Sequence, residues 1–402
     1  MKKILVLLVA LTSLFVLAAC GNSTPDKVIV GRWGGNDAET AAFQQMLAEF
    51  TAATGIEVEE RVYSDYNLEL QAELIGGNAP DVFYVDAYMA PFFISQGVLL
   101  PLDQNEFSLN QFYAPLREAF NQNGQYYAVS KDYSTLALYY NKAMVNPATI
   151  PSTLEELWSG DFLTNLQATL PSGVAAMTVN IDLARNMFIA ESGNLSITTS
   201  NGRSNLGSND IINNLTPQLT AWSQGKLTEN SELGMGWNGD AFGQEKTALM
   251  IEGNWVLGFL QQEFPNVDFG VLELPTFRGN PGTMVFTVGY GINAASNNVE
   301  GATEFIKFAT GPQGMATWTT GAGVLPSRID VTASTGVATD PLKQPHIAGA
   351  NYATVWQKGT HLDTINLEFR NYAPSILRGE RTIAEALRMA ESEANSTINA
   401  SE

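Results

Sequence analysis

Residues 28–86 read VIVGRWGGNDAETAAFQQMLAEFTAATGIEVEERVYSDYNLELQAELIGGNAPDVFYVD, and the pattern of this stretch decides the fold. Short apolar or alternating segments predict three strands, and the segments between them predict helices. The strands are predicted at residues 28–30, 56–62 and 81–86. The first helix carries an apolar stripe at i, i+3, i+4 and i+7, formed by Phe43, Met46, Leu47 and Phe50. The order strand–helix–strand–helix–strand predicts a parallel sheet with helices on both faces.

Two candidate binding residues stand where these predicted strands end. Trp33 follows the first strand, next to Gly34-Gly35, and Asp86 closes the third strand. Because ligands of open parallel sheets bind beyond the carboxyl ends of the strands, we expect both side chains to reach a binding crevice. Asn36 or Asp37 is predicted to cap the helix that starts there.

A long β-rich run at residues 126–141 is broken by the polar triplet Ser130-Lys131-Asp132. The run is longer than an ordinary strand, which indicates a place where the chain passes from one lobe to another. Residues 191–214 are predicted to form a surface loop. Residues 242–260 are predicted to be helical, with an interruption at Glu252-Gly253-Asn254.

The composition excludes several classes of function. A length of 402 residues predicts two or three domains, and 45% hydrophobic against 15% charged residues is enough for a large core. The 21 Lys and Arg residues stand against 41 Asp and Glu, and this acidity argues against nucleic acid and anionic lipid as partners. One Cys and two His argue against a disulfide scaffold and against zinc, haem or iron–sulfur sites. We therefore expect no cofactor and no metal.

The first twenty residues predict export. Lys2 and Lys3 precede an apolar stretch at residues 4–17 that is too short for a comfortable membrane span. The stretch ends in Leu17-Ala18-Ala19-Cys20, which resembles the bacterial lipobox. The expected parts are a lipoprotein signal peptide at residues 1–19, a lipidated Cys20 and a flexible tether over residues 20–26. The alternative is an ordinary signal peptide with an accidental Cys.

Motifs for catalysis are absent or incomplete. The string GYGINA at residues 289–294 fits G-x-G-x-x-A, but a polar turn delays the next helix, so a dinucleotide site is not expected. The sequence has neither a G-x-x-x-x-G-K-[ST] phosphate loop nor a G-x-S-x-G nucleophile elbow. His346 and His361 lack metal-ligand spacing and are interpreted as packing or surface residues. A catalytic triad or carboxylate pair depends on spatial arrangement, which the sequence leaves open. We do not expect an enzyme.

Aromatic residues at or near turns indicate sugar binding. The set comprises Trp33, Tyr66, Tyr88, Trp237, Trp255 and Tyr290. The apolar C–H face of a pyranose stacks on an aromatic ring, and its hydroxyls need carboxylate, amide or guanidinium partners. Any one ring could equally be a core residue, so the prediction depends on the set as a whole.

Eight short strings, in this order, resemble the extracellular solute-binding proteins of bacterial ABC importers, in the sugar-binding group that includes maltose-binding protein. They are APDVFYVD at 79–86, GVLLPLD at 97–103, TLALYYNK at 135–142, GQEKTALM at 243–250, EGNW at 252–255, LPTFRG at 274–279, GINAAS at 291–296 and LPSR at 325–328. Two features depart from the family. Ser130 stands where the family often has Pro, which leaves the hinge backbone less fixed, and residues 180–235 match poorly.

The resemblance implies an α/β fold, namely the two-lobe periplasmic-binding-protein fold (type II), with discontinuous lobes joined by a hinge. The N-lobe would comprise residues 27–132 and 276–325, and the C-lobe residues 133–275 and 326–402. Ligand bound across both lobes would favour the closed state.

The resemblance also implies the roles of individual residues. Asp86, Lys131 and Asp132 would reach ligand hydroxyls from the N-lobe and the hinge. Trp255 would be the stacking platform of the C-lobe, and Tyr290 and Arg328 would line the cleft. The remaining candidates are Trp33, Asp37 and Tyr66, which fit by position, and Trp237, which belongs to the aromatic set.

The implied function is that of a lipid-anchored extracytoplasmic receptor that delivers a sugar, such as a maltodextrin-like oligosaccharide, to the transmembrane permease subunits of an ABC importer. Membrane contact would be through the N-terminal lipid only, and we expect a monomer. Two alternatives stay open. The same fold could bind a phosphorylated solute such as a glycerol phosphate, with Arg32 and Arg278 as candidate ligands, or the chain could be an exported carbohydrate-active enzyme.

Overall fold

The computed structural model of the protein describes residues 27–401, so the predicted signal peptide, Cys20 and the tether up to residue 26 lie outside the described residues. The strands are β1 (Lys27–Trp33), β2 (Glu57–Tyr63), β3 (Val82–Asp86), β4 (Asn121–Gln122), β5 (Gln125–Tyr126), β6 (Val129–Asn141), β7 (Ala175–Thr178), β8 (Thr247–Gly253), β9 (Phe269–Leu272), β10 (Met284–Ile292) and β11 (Thr354–Val355).

Helices pack around the nine-stranded sheet, whereas β4 and β5 form a separate pair. In the first half of the chain the helices are α1 (Asp37–Thr54), α2 (Tyr66–Gly76), α3 (Ala90–Ser95), α4 (Ala114–Glu118), α5 (Leu154–Ser159), α6 (Phe162–Thr169) and α7 (Leu183–Ala190). In the second half they are α8 (Asn209–Ser223), α9 (Asn238–Gly243), α10 (Trp255–Glu263), α11 (Val299–Ala309), α12 (Pro312–Ala322), α13 (Ile329–Ser334), α14 (Gln344–Gly349), α15 (Leu362–Tyr372), α16 (Pro374–Leu377) and α17 (Ile383–Ser401). None of the helices within residues 27–401 has the length and apolar character of a membrane span.

The strands lie in the order β2-β1-β3-β10-β6-β8-β7, with β11 beside β10 and β9 beside β6. β1 pairs in parallel with β2 and β3, and β7 pairs in parallel with β8. This confirms the parallel sheet predicted from residues 28–86. β10 and β6 run antiparallel to each other between these two parallel groups. The carboxyl ends of β1 and β3 on one side, and of β7 and β8 on the other, carry most of the candidate site.

β6 belongs to both groups of strands. Its first part, through Thr135, pairs with β10, and its second part, from Leu136 onward, pairs with β8 and β9. The polar triplet does not end the strand, because Ser130, Lys131 and Asp132 are buried within β6. The register against β10 does shift there, since Asp132 and Ser130 pair with the consecutive residues Val288 and Gly289 and Lys131 is left out.

Hydrophobic residues form two large cores, one for each group of strands. The first core packs α1, α11 and α12 on β1 and β3, and buries the predicted stripe of α1. The second core packs α5, α7, α8, α15 and α17 around β7 and β8. Phe277 and Met284 belong to the second core, whereas Val331 belongs to the first. The chain therefore passes from the second core to the first after Met284, within β10, and contributes to the first core again at Val331.

Part of the chain differs from its predicted secondary structure. Residues 247–253, predicted to be helical, form the fully buried strand β8. A short apolar run looks alike in a buried strand and in a buried helix, so periodicity does not distinguish them. α8 begins within the segment predicted to be loop. The string at residues 289–294 lies mainly in β10, so no helix opens there to receive a pyrophosphate.

Candidate functional site

An aromatic corner forms at the carboxyl ends of β1 and β3. The ring of Trp33, the last residue of β1, meets Tyr66 at 5.0 Å and Tyr84 at 4.8 Å between centroids, edge to face in both cases. Tyr66 begins α2, and its hydroxyl donates to the backbone carbonyl of Tyr84. The structure thus brings together the two candidates Trp33 and Tyr66, through a tyrosine that the sequence did not single out.

The predicted pair Lys131 and Asp132 lies beside this corner. The Lys131 ammonium pairs with the Asp132 carboxylate and lies 4.9 Å from the Tyr84 ring centroid and 4.3 Å from that of Trp318. The Trp318 indole nitrogen donates a 2.8 Å hydrogen bond to Asp132 Oδ2. The two charges therefore neutralise each other in an aromatic enclosure, which fixes both side chains.

Asp86 closes β3 and takes the position that the sequence predicted. Its Oδ1 accepts a 3.2 Å hydrogen bond from the backbone N–H of Tyr88. Burial raises the pKa of Asp86 to about 6, and the carboxylates of Asp363 and Asp132 act in the same direction. Since Asp363 is in the first turn of α15, its influence shows that the ends of β3 and α15 face each other.

An open groove of about 200 Å³ lies between these two elements. Tyr88 and Met89 line it from the β3 side, and Leu362 and Asp363 line it from α15. Beside this groove lies a cluster that we call the first wall, and Asp86 connects it to Tyr88. The first wall consists of Trp33, Tyr66, Tyr84, Asp86, Lys131 and Asp132.

Trp255 is the first residue of α10 and follows the carboxyl end of β8. Its side chain is 40% exposed. The indole lies over Gly253, where an added Cβ would be 2.3 Å from the ring, and meets Phe286 edge to face at 5.5 Å. The side-chain oxygen of its neighbour Asn254 accepts hydrogen bonds from the Ser134 hydroxyl and from the Thr135 backbone N–H, both in β6. These bonds hold the start of α10, and with it the ring, close to the crossing strands.

A charged cluster lies next to Trp255. The guanidinium of Arg185, in α7, is 5.8 Å from the Trp255 ring centroid. Its NH2 group is 3.2 Å from Glu252 Oε1, and its NH1 group is 3.7 Å from Asp182 Oδ2. Burial opposes the charge of Arg185, but the two carboxylates outweigh it and raise the arginine pKa. We call Asp182, Arg185, Glu252 and Trp255 the second wall.

Trp237 lies close to the second wall but is half-buried. Its ring packs against Phe259 at 4.8 Å and lies over Gly239. The next residue, Asn238, is buried and donates to Glu252 Oε1 at 3.2 Å. Trp237 therefore fixes the start of α9 behind the charged cluster.

Three other predicted site residues fall elsewhere. Asp37 is exposed in the first turn of α1, and Asn36 is the helix cap, since its Oδ1 accepts from the backbone N–H of Glu39 at 2.9 Å. Tyr290 is only 1% exposed and packs between Tyr84 and Phe305, so it is a core residue and not part of a cleft wall.

Arg328 is also buried rather than displayed in the cleft. Its guanidinium pairs with Asp330 at 2.7 Å and lies 5.4 Å from the ring centroid of Phe112. The LPSR string thus supplies a helix start and a packing residue here. Arg328 does not extend into the cleft because its guanidinium is paired with the carboxylate of Asp330, two residues away.

The sequence did not identify Tyr84, Trp318, Asp182, Arg185, Glu252 or Asp363. Asp182 could have been recognised from the sequence, because it is a carboxylate shortly after β7 that caps α7, much as Asp86 is a carboxylate at the end of β3. The pairing of Arg185 with Glu252 joins residues 67 positions apart, and no local pattern reveals it.

The candidate phosphate ligands are engaged in the structure. Arg32 is 5% exposed, pairs with Glu60, donates to the carbonyl of Trp33 and lies over the Phe43 ring. Arg278 lies 5.6 Å from the ring centroid of Phe277. Within residues 27–401, no group of three or more His, Cys, Asp or Glu residues is placed to hold a metal ion.

Solved structures share this fold over nearly the whole chain. A cyclo/maltodextrin-binding protein complexed with maltotetraose matches with a TM-score of 0.83 at 18% identity, covering 94% of this chain and 98% of that one. The sugar-binding protein of the phytopathogen Xanthomonas citri matches with 0.83 at 15% identity, covering 93% and 98%. A maltose complex of an extracellular solute-binding protein from Staphylococcus aureus matches with 0.77 at 21% identity, covering 95% and 100%. These likenesses establish the two-domain type II fold.

Sequence relatives point the same way. The maltotriose-binding protein of Pyrococcus abyssi is 31% identical over 122 residues, which are 30% of this chain. The chain spans only 26% of that relative's length. The signature of the family described as bacterial extracellular solute-binding protein matches residues 45–345. Because that match covers most of the chain, the protein belongs to the bacterial extracellular solute-binding protein family, a family of extracytoplasmic binding proteins.

Proposed function

We propose that this protein is the sugar receptor of an ABC importer and binds a maltodextrin-like oligosaccharide between the first and second walls. The observation that carries the proposal is the placement of Trp255. This large aromatic ring is 40% exposed beside the crossing strands, while the first wall contains the Asp86 carboxylate and the buried pair of Lys131 and Asp132.

Sugar chemistry fits this pairing of walls. The C–H face of a pyranose gains contact area on an indole, and its hydroxyls act as both donors and acceptors. Asp86, which ends β3, supplies an acceptor, and the buried pair of Lys131 and Asp132 lies close to it. A ligand that touches both walls has differential affinity for the closed state, which is what a receptor that signals occupancy requires.

Relatives support the ligand class. Similar proteins bind maltotriose, maltotetraose and maltose, by their names. A phosphorylated ligand is less well supported, because Arg32 is buried and paired with Glu60 and Arg278 lies against an aromatic ring. Hydrolysis is also less well supported, since the family is one of binding proteins.

We also propose how the lobes, the lipid anchor and the permease take part in transport. We propose one lobe near residues 27–132 with 276–325 and another near residues 133–275 with 326–402, joined where β6 and β10 cross. Phe277 and Met284 pack with the second lobe and Val331 with the first, so the chain passes between the lobes several residues beyond the bounds at 276 and 325. Lipidation of Cys20 would hold the monomeric receptor at the membrane, and the closed form would deliver its sugar to the permease subunits.

Thermal unfolding of the purified protein with a ligand panel tests the proposal. The panel comprises maltose, maltotriose, maltotetraose, cellobiose and glycerol 3-phosphate. A ligand at about 100 times its Kd stabilises the folded state by roughly 2.7 kcal/mol, which raises the midpoint by a few degrees. We expect maltotriose or maltotetraose to do so and to be recovered intact.

A variant of the platform makes the test specific. Trp255→Ala should abolish the sugar-induced shift, and the ligand-free midpoint of the variant reports separately what the packing of the ring on Phe286 contributes to stability. Trp255→Phe should retain part of the shift. A shift with glycerol 3-phosphate alone would overturn the ligand class, and cleavage of the glycan would overturn the assignment as a binding protein.

A further inference from the structure

A short segment, residues 355–358, passes between the two sides of the molecule and contacts each in turn. We call it the strap. Val355 packs against a smaller core around the end of β3. Trp356 packs against the second core, and the Lys358 ammonium lies 3.0 Å from the carboxylate of Glu191, which directly follows α7. Neighbouring residues of the strap are therefore tied to opposite sides, as the alternation of an extended chain allows.

Gln357 completes the alternation by bonding to the β3 side. Its amide nitrogen donates to two backbone carbonyls, that of Ala87 and, at 2.7 Å, that of Ala119. Ala87 directly follows β3, and Ala119 follows α4, where the carbonyls of a helix end lack partners within the helix. Both alanines are buried, so water would not readily replace a lost donor. One side chain thus joins the end of a strand to the end of a helix.

The strap lies beside the two other places where the chain changes sides. Val285 of β10 pairs both with Thr135 of β6 and with Val355 of β11. β6 changes its strand partners after Thr135, and β10 leaves the second core after Met284. The three connections cross next to one another, so a motion of one side of the molecule against the other would bend the chain there.

The turn that Gln357 holds at Ala87 forms one side of the groove described above. The next two residues of the turn, Tyr88 and Met89, line that side. The strap itself leads into residues 359–363, most of which line the opposite side. The bond at Ala87 therefore fixes one side of the groove relative to the chain segment that forms the other.

We infer that Gln357 is a positioning residue of the sugar site, which holds the turn at residues 87–89 at a fixed place opposite α15 and so preorganises the groove for a ligand. Gln357 acts without touching the ligand, since its amide nitrogen is bonded to two backbone carbonyls and its side chain does not line the groove. Preorganisation lowers the conformational entropy that binding must overcome, so loss of this bond weakens binding. The part of the inference that concerns sugar rests on the proposed function.

Amide hydrogen exchange of the ligand-free protein tests the positioning without any sugar. The three N–H groups of residues 87–89 are bonded to the carbonyl of Thr287 and to two oxygens of Asp86. In Gln357→Leu these amides should exchange at least about tenfold faster than in wild type, the factor expected for one lost hydrogen bond. The amides of β7 and β8 should keep their wild-type rates.

Calorimetric titration with maltotriose tests the consequence for binding. Gln357→Leu should bind about tenfold more weakly than wild type, because the turn is no longer held. Gln357→Glu keeps the size of the side chain but replaces the donor by a carboxylate, which would face two carbonyl oxygens. At pH 7.5 it should therefore bind at least as weakly as Gln357→Leu. A residue that only filled space would tolerate this exchange.

The matched control is Gln125→Leu. Gln125 is half-buried like Gln357, and its amide nitrogen also donates to two backbone carbonyls, those of Leu102 and Tyr126. It lies in β5, and neither it nor its acceptors line the groove. The control should leave the Kd for maltotriose within about twofold of wild type and the exchange at residues 87–89 unchanged.

The outcomes separate this inference from the proposed function. If the wild-type protein binds no sugar of the panel, the proposed function is overturned, while the exchange rates still decide whether Gln357 holds the turn. If wild type binds maltotriose, unchanged affinity or unchanged exchange in Gln357→Leu overturns the inference alone. Tighter binding by Gln357→Leu, or wild-type affinity in Gln357→Glu, has the same consequence. Far-ultraviolet circular dichroism of each variant establishes that it is folded.

Discussion

The indole nitrogen of Trp318 donates a 2.8 Å hydrogen bond to Asp132 Oδ2, the same oxygen that pairs with the ammonium of Lys131. Trp318 belongs to α12 and Asp132 to β6, so a helix of the first core holds the charged residue of the crossing strand. The same indole is also the nearer of the two rings that enclose Lys131. The orientation of the first wall thus depends on a residue 186 positions away in the sequence.

Trp318→Phe should destabilise the protein and weaken sugar binding, because it removes a donor to a buried carboxylate. The matched control is Trp222→Phe, since the buried Trp222 indole nitrogen has no partner among residues 27–401. Both substitutions remove the same atoms, but only the first removes a hydrogen bond. We expect urea unfolding to show an extra loss of about 2 kcal/mol for Trp318→Phe. Equal losses would show that the bond to Asp132 does not stabilise the fold.

Gly253→Ala should disturb the platform, because the new Cβ would lie 2.3 Å from the Trp255 ring. The ring must move, and overpacking of this kind costs about 1–3 kcal/mol. We expect sugar affinity to fall about tenfold or more in calorimetric titration.

Gly258→Ala is the control on the same segment. Gly258 is exposed within α10 and has no atoms within 4 Å of an added Cβ. It should raise the free energy of unfolding by about 0.5–1 kcal/mol and leave the Kd unchanged. If both variants bound sugar like the wild type, the ring position would not matter for binding.

Asp86→Asn should stabilise the ligand-free protein above neutral pH. The pKa of Asp86 is raised to about 6, above its value in the unfolded chain, so the folded state favours the protonated carboxyl. That contribution is complete below about pH 4 and is lost as pH rises through about 6. At pH 7.5 the variant should be more stable than wild type by about 1–3 kcal/mol, with the gap closing toward pH 4.

Urea unfolding at pH 4.5, 6 and 7.5 measures this gap. Asp37→Asn, a substitution of the exposed carboxylate in the first turn of α1, is the control and should follow the wild-type curve. A constant difference between Asp86→Asn and wild type across this range would show that the carboxyl is not destabilised by its surroundings.

His346 should make the protein less stable in acid. Its imidazole is fully buried, with Nε2 2.7 Å from the Tyr139 hydroxyl and Nδ1 2.8 Å from the carbonyl of Thr135. Burial lowers its pKa to about 4. The neutral ring therefore contributes stability that is present above about pH 6.5 and is lost as pH falls to about 4, in total about 3 kcal/mol.

His346→Gln should remove that part of the pH dependence. The expected result is a shallower loss of unfolding free energy between pH 7 and pH 4.5 than in wild type, whatever the absolute cost of the substitution. His361→Gln, a change of the second histidine, should keep the wild-type slope. A wild-type slope in His346→Gln would assign the acid sensitivity to other groups.

Much of the first wall was predictable from the sequence, because its positions follow local rules. The stripe of α1 predicted a buried helix face, and Phe43, Met46 and Phe50 are fully buried. Trp33 and Asp86 were found because they end strands, and strand ends are recognisable from composition.

The second wall was less predictable, because it is made by long-range packing. β8 was mistaken for helix, so Glu252 was noted only within the EGNW string and as a break in that helix, and not as a site residue near the end of a strand. Tyr290 was expected in the cleft from resemblance, but β10 turns it toward α11 and Phe305. Alternation along a strand gives two faces, and only the packed structure tells which face is buried.

The pairing of β3 with β10 also bears on the order in which the molecule can be made. Val288 lies opposite Asp86, so the first parallel group is completed by a strand that is synthesised about 200 residues later. The first core also needs α11 and α12, which come later still. While the chain emerges from its amino end, the residues of the first core that come early therefore lack β10, α11 and α12, and they stay exposed for most of synthesis. Folding is slow when it requires contacts between residues far apart in the sequence. Slow folding keeps a chain unfolded while it is still being threaded across a membrane.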